Sequence, residues 1–222
     1  MNNINPSQLL KNITIELTDL SSQSGFVFSK SEIIEIEDLK YNEDKHIFFK
    51  LVKSEEETYG HCSFGIFLKF DVQELDAKGN PHGNTYKDQY KIDSKVTIKY
   101  SDYFVTNPKV SLSNFEEFWN KCEKSNFSES KEKLQLPYSN MKLVGKNFSN
   151  VIGFETLNEV DKVDQNAKKY EFLFSVINIF GAMVFLRLQV IFNQANQCLS
   201  MITIRSQDET VDKLILDEIY KG

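Results

Sequence analysis

Two arginines and one tryptophan are the residues of this 222-residue chain whose types and placing can do chemistry. Along AMVFLRLQVIF, Val184, Leu186, Leu188 and Val190 share one face of a strand, with Arg187 and Gln189 on the other. Along CLSMITIR, Ile202 and Ile204 oppose Met201, Thr203 and Arg205. The NQANQ connection, residues 193–197, makes these strands antiparallel neighbours, and burying their apolar sides together brings Arg187 and Arg205 out on the same face. Two guanidinium groups so placed can take carboxylates in a forked geometry. Trp119, the only tryptophan, lies in NFEEFWNKC, where Phe115, Phe118, Trp119 and Cys122 recur at i, i+3, i+4 and i+7. That spacing alone predicts a core stripe. A charged strand face alone predicts nothing more than solvated ion pairs, each worth under ~1 kcal/mol.

Other chemistries find little support. His46, His61 and His82 form no HxxxH pair, and Cys62, Cys122 and Cys198 are odd in number with no CxxC, so neither a zinc site nor a disulfide framework is expected. The thiols read as reduced, and no metal or cofactor is implied. No GxxxxGK[ST], GxGxxG or GxSxG occurs, which removes the common phosphate cradles and the nucleophile elbow. The stretch DAKGNPHGN lacks the alternating oxygen ligands of a calcium loop and reads as a solvated hairpin tip. A net charge of −6 with both signs mixed along the chain argues against a nucleic acid or an anionic bilayer as partner. The N-x-S/T triplets at Asn12, Asn126 and Asn147 read as chance matches in an Asn-rich chain whose first residues show no signal-peptide pattern. The apolar run at residues 172–192 is divided by Gly181 and reads as two buried strands rather than a membrane span.

The elements that must position these residues fall into two groups. In the first half NITIEL, EIIEIE, HIFFKLV, SFGIFLKFDVQ and SKVTIKY alternate as strands, which predicts a β-sandwich over residues 8–106. Pro108 marks the junction, and residues 107–222 read as an α+β unit, an antiparallel sheet with flanking helices. Three helices are expected. The first starts with Ser113 and Glu116 at capping-box spacing and Leu112 as a hydrophobic staple, and the second lies within SNMKLVGKNFSNVIGFE. The last repeats the capping box with Ser206 and Glu209 and puts Val211, Leu214, Ile215 and Ile219 on one face. Strands near KLQLPY, YEFLFSVINIF, AMVFLRLQVIF and CLSMITIR supply the sheet.

The blocks CSFGIFLKFDVQELD, DQYKIDSKVTIKYSDYF, NFEEFWNKC, NVIGFETLNEVDKV and TIRSQDETVDKLILDEI, in this order, resemble the appendage (ear) domain of the gamma subunit of coatomer, the COPI vesicle coat. A more distant likeness is to the appendages of clathrin adaptor large subunits. The resemblance implies a sandwich followed by a platform. It also implies a non-catalytic module that recruits accessory and regulatory proteins through short peptides, working in the cytoplasm on the Golgi membrane and on COPI-coated vesicles as a peripheral component. Expected partners are other coatomer subunits and an Arf GTPase-activating protein, with membrane contact only through the coat. The family's peptide-capturing tryptophan matches Trp119, with Phe115 beside it; the arginine before the last helix matches Arg205, and Arg187 matches a basic position of the clathrin adaptor relatives. The family begins its sandwich with strands ahead of NITIEL, where this sequence has MNNINPSQLLK, so either the chain is truncated there or the sandwich is incomplete and leaves an unpaired sheet edge. Three rival readings stand beside this one: a clathrin adaptor appendage, an enzyme using Cys122 as nucleophile, and a structural spacer with Trp119 buried and both arginines idle. The docking reading requires an accessible indole, and expects Trp119→Ala to melt close to wild type.

Overall fold

The structure is a computed structural model that describes residues 3, 5–18, 26–28, 33–53, 55, 59–60 and 62–221. His61 and the first residue of the EIIEIE run lie outside the described residues. The chain divides into two compact units, Met1–Tyr100 and Ser101–Gly222.

The first unit contains strands β1 (Gln8–Thr18), β2 (Phe26–Phe28), β3 (Ile33–Ile36), β4 (Leu51–Lys53), β5 (Cys62–Leu75) and β6 (Pro81–Ile98). Four of them form an antiparallel sheet in the order β3-β1-β5-β6, while β2 and β4 pair as a separate two-stranded sheet. The sheets meet where the Phe28 ring packs edge-on against Phe64 at 5.4 Å. Ile13, Ile15 and Leu17 alternate into the core along β1, as their spacing requires. β1 is paired on both sides, so among the described residues the edges of this sheet are β3 and β6 and not the strand matching NITIEL. β6 starts well ahead of the expected SKVTIKY run. The tip is confined to Asp76–Asn80, where Asp76 Oδ1 accepts from the backbone N–H of Lys78 and Asn80, and Gly79 takes φ +80°. From Pro81 onward the chain is already paired with β5. Its pattern hid this because both faces of that stretch are solvated, which leaves no alternation to read.

The second unit is built on a five-stranded antiparallel sheet in the order β7-β9-β10-β11-β8, comprising β7 (Phe104–Thr106), β8 (Ser128–Leu136), β9 (Lys169–Asn178), β10 (Met183–Phe192) and β11 (Cys198–Ser206). Because β7 pairs with β9, the division falls before it and not after residue 106. The β9–β10 turn is closed by Gly181 at φ +96° and by Asn178, whose Oδ1 accepts from the N–H of Phe180 and Ala182. Helices α1 (Phe115–Cys122), α2 (Met141–Ile152) and α3 (Glu209–Lys221) cover the sheet. Asn140 caps α2 by accepting from Leu143 N–H, and Gly153 ends it in the left-handed region.

The two expected capping boxes do not form. At α1 the cap is Asn114, whose side chain instead ties down the preceding loop by accepting from Ser111 N–H and donating to the Lys109 carbonyl. Leu112 is half exposed and staples nothing. At α3 Asp208 takes the role, accepting from Thr210 N–H, while Ser206 is held back by its bonds with the Asp208 backbone.

α2 and α3 lie on the apolar face of the sheet. Phe148 of α2 meets Phe174, and Gly145 sits so close to the buried Phe172 ring that a Cβ there would overlap it. Gly145→Ala is therefore expected to cost about 1–3 kcal/mol in chemical denaturation; an unchanged midpoint would show that α2 is not seated on that ring. α3 is anchored by Asp212, fully buried, whose Oδ2 accepts from Ser128 Oγ at 2.7 Å and Ser130 Oγ at 3.2 Å. Burial pushes this carboxyl above its ordinary value, with the serine hydroxyls pulling the other way. The native state thus holds the proton more tightly than the unfolded chain, and this contribution to stability, complete below the ordinary carboxylate pKa, is lost as pH rises through the raised value. Asp212→Asn cannot ionise, so its stability relative to wild type is expected to climb as pH rises above the ordinary carboxylate range. A pH-independent difference in denaturation midpoint would contradict the assignment.

Candidate functional site

The opposite sheet face carries α1 and the arginines. Arg205 is directly across from Phe185, and Arg187 across from Thr203, so the two side chains leave adjacent strands diagonally on one face, as the alternation required. α1 lays its stripe on that face. Phe115 is stacked on Trp119 at 5.6 Å and set edge-on to Phe185 at 5.9 Å, and Val110, Cys122 and Leu173 complete the cluster.

Both guanidinium groups lie over the indole, Arg187 Cζ at 4.4 Å and Arg205 Cζ at 4.3 Å from its centroid. Desolvated cation–π contacts of this kind reach about 2 kcal/mol. Arg205 is the more deeply held. Its Nη1 donates to the Trp119 carbonyl at 2.8 Å, Nε to Glu129 Oε2 at 2.7 Å and Nη2 to Glu123 Oε1 at 2.8 Å. Burial works against its charge, but Glu123 and Glu129 outweigh that and raise its pKa. Arg187 donates through Nη2 to Glu116 and lies 3.7 Å from Glu171, while its buried Nε has no acceptor among the described residues. Each arginine therefore has an inner carboxylate from a neighbouring strand, Glu129 or Glu171, and an outer one from α1 or its C-terminal cap. The outer pair are about 60% exposed (Glu116 60%, Glu123 59%), against about a third for the inner pair (Glu129 33%, Glu171 32%).

The structure thus assembles Phe115, Trp119, Arg187 and Arg205 but corrects the expectation that the indole is offered to a partner. Trp119 is only 6% exposed and Phe115 is fully buried, because the stripe closes on Phe185 and Leu173 while the guanidinium groups cover what remains. The four glutamates were not picked out from the sequence. Glu116 lies one helical turn before Trp119 and was legible as a neighbour, whereas Glu129 depends on β8 pairing with β11, which no short connection signals. Cys122 is buried, its Sγ donating to the Phe118 carbonyl, and burial pushes its thiol up against the opposing Arg205 charge. This is the reverse of what an activated nucleophile needs. No group of three metal-ligating side chains occurs among the described residues, and no described helix is long and apolar enough to cross a membrane.

A sandwich unit is followed by a helix-flanked antiparallel sheet, consistent with an appendage built of a sandwich and a platform. The family described as "Coatomer subunit gamma-1 C-terminal appendage platform" matches residues 101–219, and that described as "Coatomer gamma subunit appendage platform subdomain" matches residues 1–99. The chain belongs to the coatomer gamma appendage family. It is similar to "Coatomer subunit gamma-1" of Oryza sativa subsp. japonica, 25% identical over 218 residues covering 98% of this chain and 24% of the relative. It is likewise similar to "Coatomer subunit gamma" of Arabidopsis thaliana, 24% identical over 223 residues with 98% and 24% covered. The chain spans about a quarter of the length of these curated relatives.

With its ring in the core, Trp119→Ala is expected to destabilise the second unit by about 3–5 kcal/mol, in place of the near-wild-type melting that an exposed indole would give. Urea denaturation followed by circular dichroism checks this, and a wild-type midpoint would return the ring to the surface.

Proposed function

We propose that this chain is a non-catalytic docking module of the COPI coat, recruiting accessory and regulatory proteins, an Arf GTPase-activating protein among them, through short acidic peptide segments in ER–Golgi transport. The reading places it in the cytoplasm, at the Golgi membrane and on COPI vesicles through the rest of the coat. The observation that supports it is the convergence of Arg187 and Arg205 over one indole, each holding an exposed carboxylate of the α1 segment. An exposed ion pair is worth about 0–1 kcal/mol, so a partner's carboxylate can replace Glu116 or Glu123 at little cost. An aromatic side chain of the peptide would settle beside α1 and not on the indole, which has no free surface to give. One such contact is weak, and a polymerised coat recovers strength by presenting many at once.

The spacer reading has an observation of its own: four glutamates already compensate two arginines around a buried ring. A pull-down with an Arf GTPase-activating protein separates the two. Under the docking reading Arg187→Ala retains its fold and loses about 2 kcal/mol of binding, roughly thirtyfold, while Glu116→Gln, which removes a competing charge, captures more. Under the spacer reading neither substitution changes capture.

A further inference from the structure

α1 covers only part of its sheet face. Beyond the row of Arg187 and Thr203 the next two rows are open: Gln189 across from Met201, and Ile191 across from Leu199. Ile191 is 47% and Leu199 42% exposed. Their outer cross-strand neighbours are lysines, Lys133 on β8 opposite Met201 and Lys169 on β9 opposite Ile191. Neither lysine has an ion-pair partner among the described residues, unlike Lys131, which is bound to Glu129. Glu171, across from Gln189 on β9, is engaged by Gln189 Nε2 at 2.9 Å and lies 3.7 Å from Arg187. A chain of net charge −6 therefore presents an apolar sheet patch between two unpaired cations.

We propose that this patch is a second docking surface, distinct from the arginine pair, for an extended peptide segment that crosses the strands with an apolar side chain between two carboxylates. Lys133 and Lys169 stand three strand spacings apart and two residues offset along the strands, roughly 16 Å between their Cα atoms; four residues of extended chain at about 3.4 Å each cover most of that distance, and the long lysine side chains reach the rest. Residues i, i+2 and i+4 of such a segment point the same way, so an acid–x–apolar–x–acid pattern sets its carboxylates at the lysines and its middle side chain on Ile191, Leu199 and Met201. Charge complementarity selects this occupant. A second copy of the chain would bring lysine against lysine, with no unengaged acid on the patch to meet them. An anionic bilayer needs a broad positive footprint, which the overall charge opposes.

The test is an NMR titration of the full isotope-labelled chain with the synthetic peptide Gly-Asp-Ser-Leu-Ser-Asp-Gly, beside the same peptide with both aspartates changed to asparagine. The expected result is amide shifts centred on Ile191, Leu199 and Met201 with the acidic peptide, weakened at least about tenfold both by the asparagine peptide and by the Lys133→Glu/Lys169→Glu double variant. Both lysines are exposed, so the double variant should retain its fold, and its spectrum verifies this. Absence of shifts in the wild type, or shifts that ignore the lysine reversals, overturns the proposal. Shifts centred on Arg187 and lost in Arg187→Ala would assign the peptide to the arginine pair, overturning this inference and leaving the first docking reading in place. Sedimentation of the protein with phosphatidylserine vesicles, abolished in the same double variant, would assign the patch to a membrane and overturn it equally.

Discussion

A guanidinium group taken out of water must find acceptors for its donors, and the second unit is arranged around that requirement at Arg205. Its partners all come from one stretch of eleven residues, 76 to 86 positions earlier in the chain: the carbonyl of Trp119 in α1, Glu123 just past the end of that helix, and Glu129 on β8. One buried charge thus fixes where α1 lies, where it stops and which strand closes the sheet edge. Losing either inner acceptor, the Trp119 carbonyl or Glu129, would leave part of the charge uncompensated, a situation that costs several kcal/mol in buried pairs.

α1 needs that anchorage. At eight residues it is shorter than the ~12–15 residues at which an isolated helix becomes even marginal, and its cap makes no side-chain hydrogen bond to it. Its stability comes from the aromatic stripe pressed onto Phe185 and from the Arg205 bond to its backbone. The opposite face of the sheet is organised differently. α2 carries its own side-chain cap at one end and a left-handed glycine at the other, and packs Val144, Phe148 and Ile152 on an apolar surface. One face is held by shape and burial, the other by a polar network with two exposed members.

Where a sheet is half buried, as along β1 and β10, the strands and the side each residue takes were readable as alternation; of the expected HIFFKLV strand only its last residues pair, within Leu51–Lys53, and β2 was not read. The diagonal placing of Arg187 and Arg205 followed from β10 and β11 alone. What escaped were features set by pairing over long separations. The early start of β6, the assignment of β7 to the second sheet and the Glu129–Arg205 contact all depend on a partner strand that no local pattern names. The caps failed for a related reason: Ser113 and Ser206 have the right spacing, but Asn114 and Asp208, one and two residues on, compete for the same role. The burial of Trp119 was legible in its i, i+3, i+4, i+7 spacing, which predicts a core stripe; only the resemblance to a peptide-capturing tryptophan pointed to an accessible ring.

The burial of that ring changes what a docking site on this face must be. A hot spot built on a bare indole would take its energy from apolar contact; here that energy is already used within the fold, holding α1 to the sheet. What remains available to a partner is electrostatic, the outer edge of two guanidinium groups whose inner edges face Glu129, hydrogen-bonded to Arg205, and Glu171, 3.7 Å from Arg187. Because Glu116 and Glu123 already occupy that outer edge, an incoming acid changes the identity of a carboxylate and leaves its number constant, so no charge is ever left bare. Exchange of that kind is cheap in both directions and sensitive to salt. Under the proposed docking function, low cost in both directions lets each contact dissolve readily by itself, while an array of them holds.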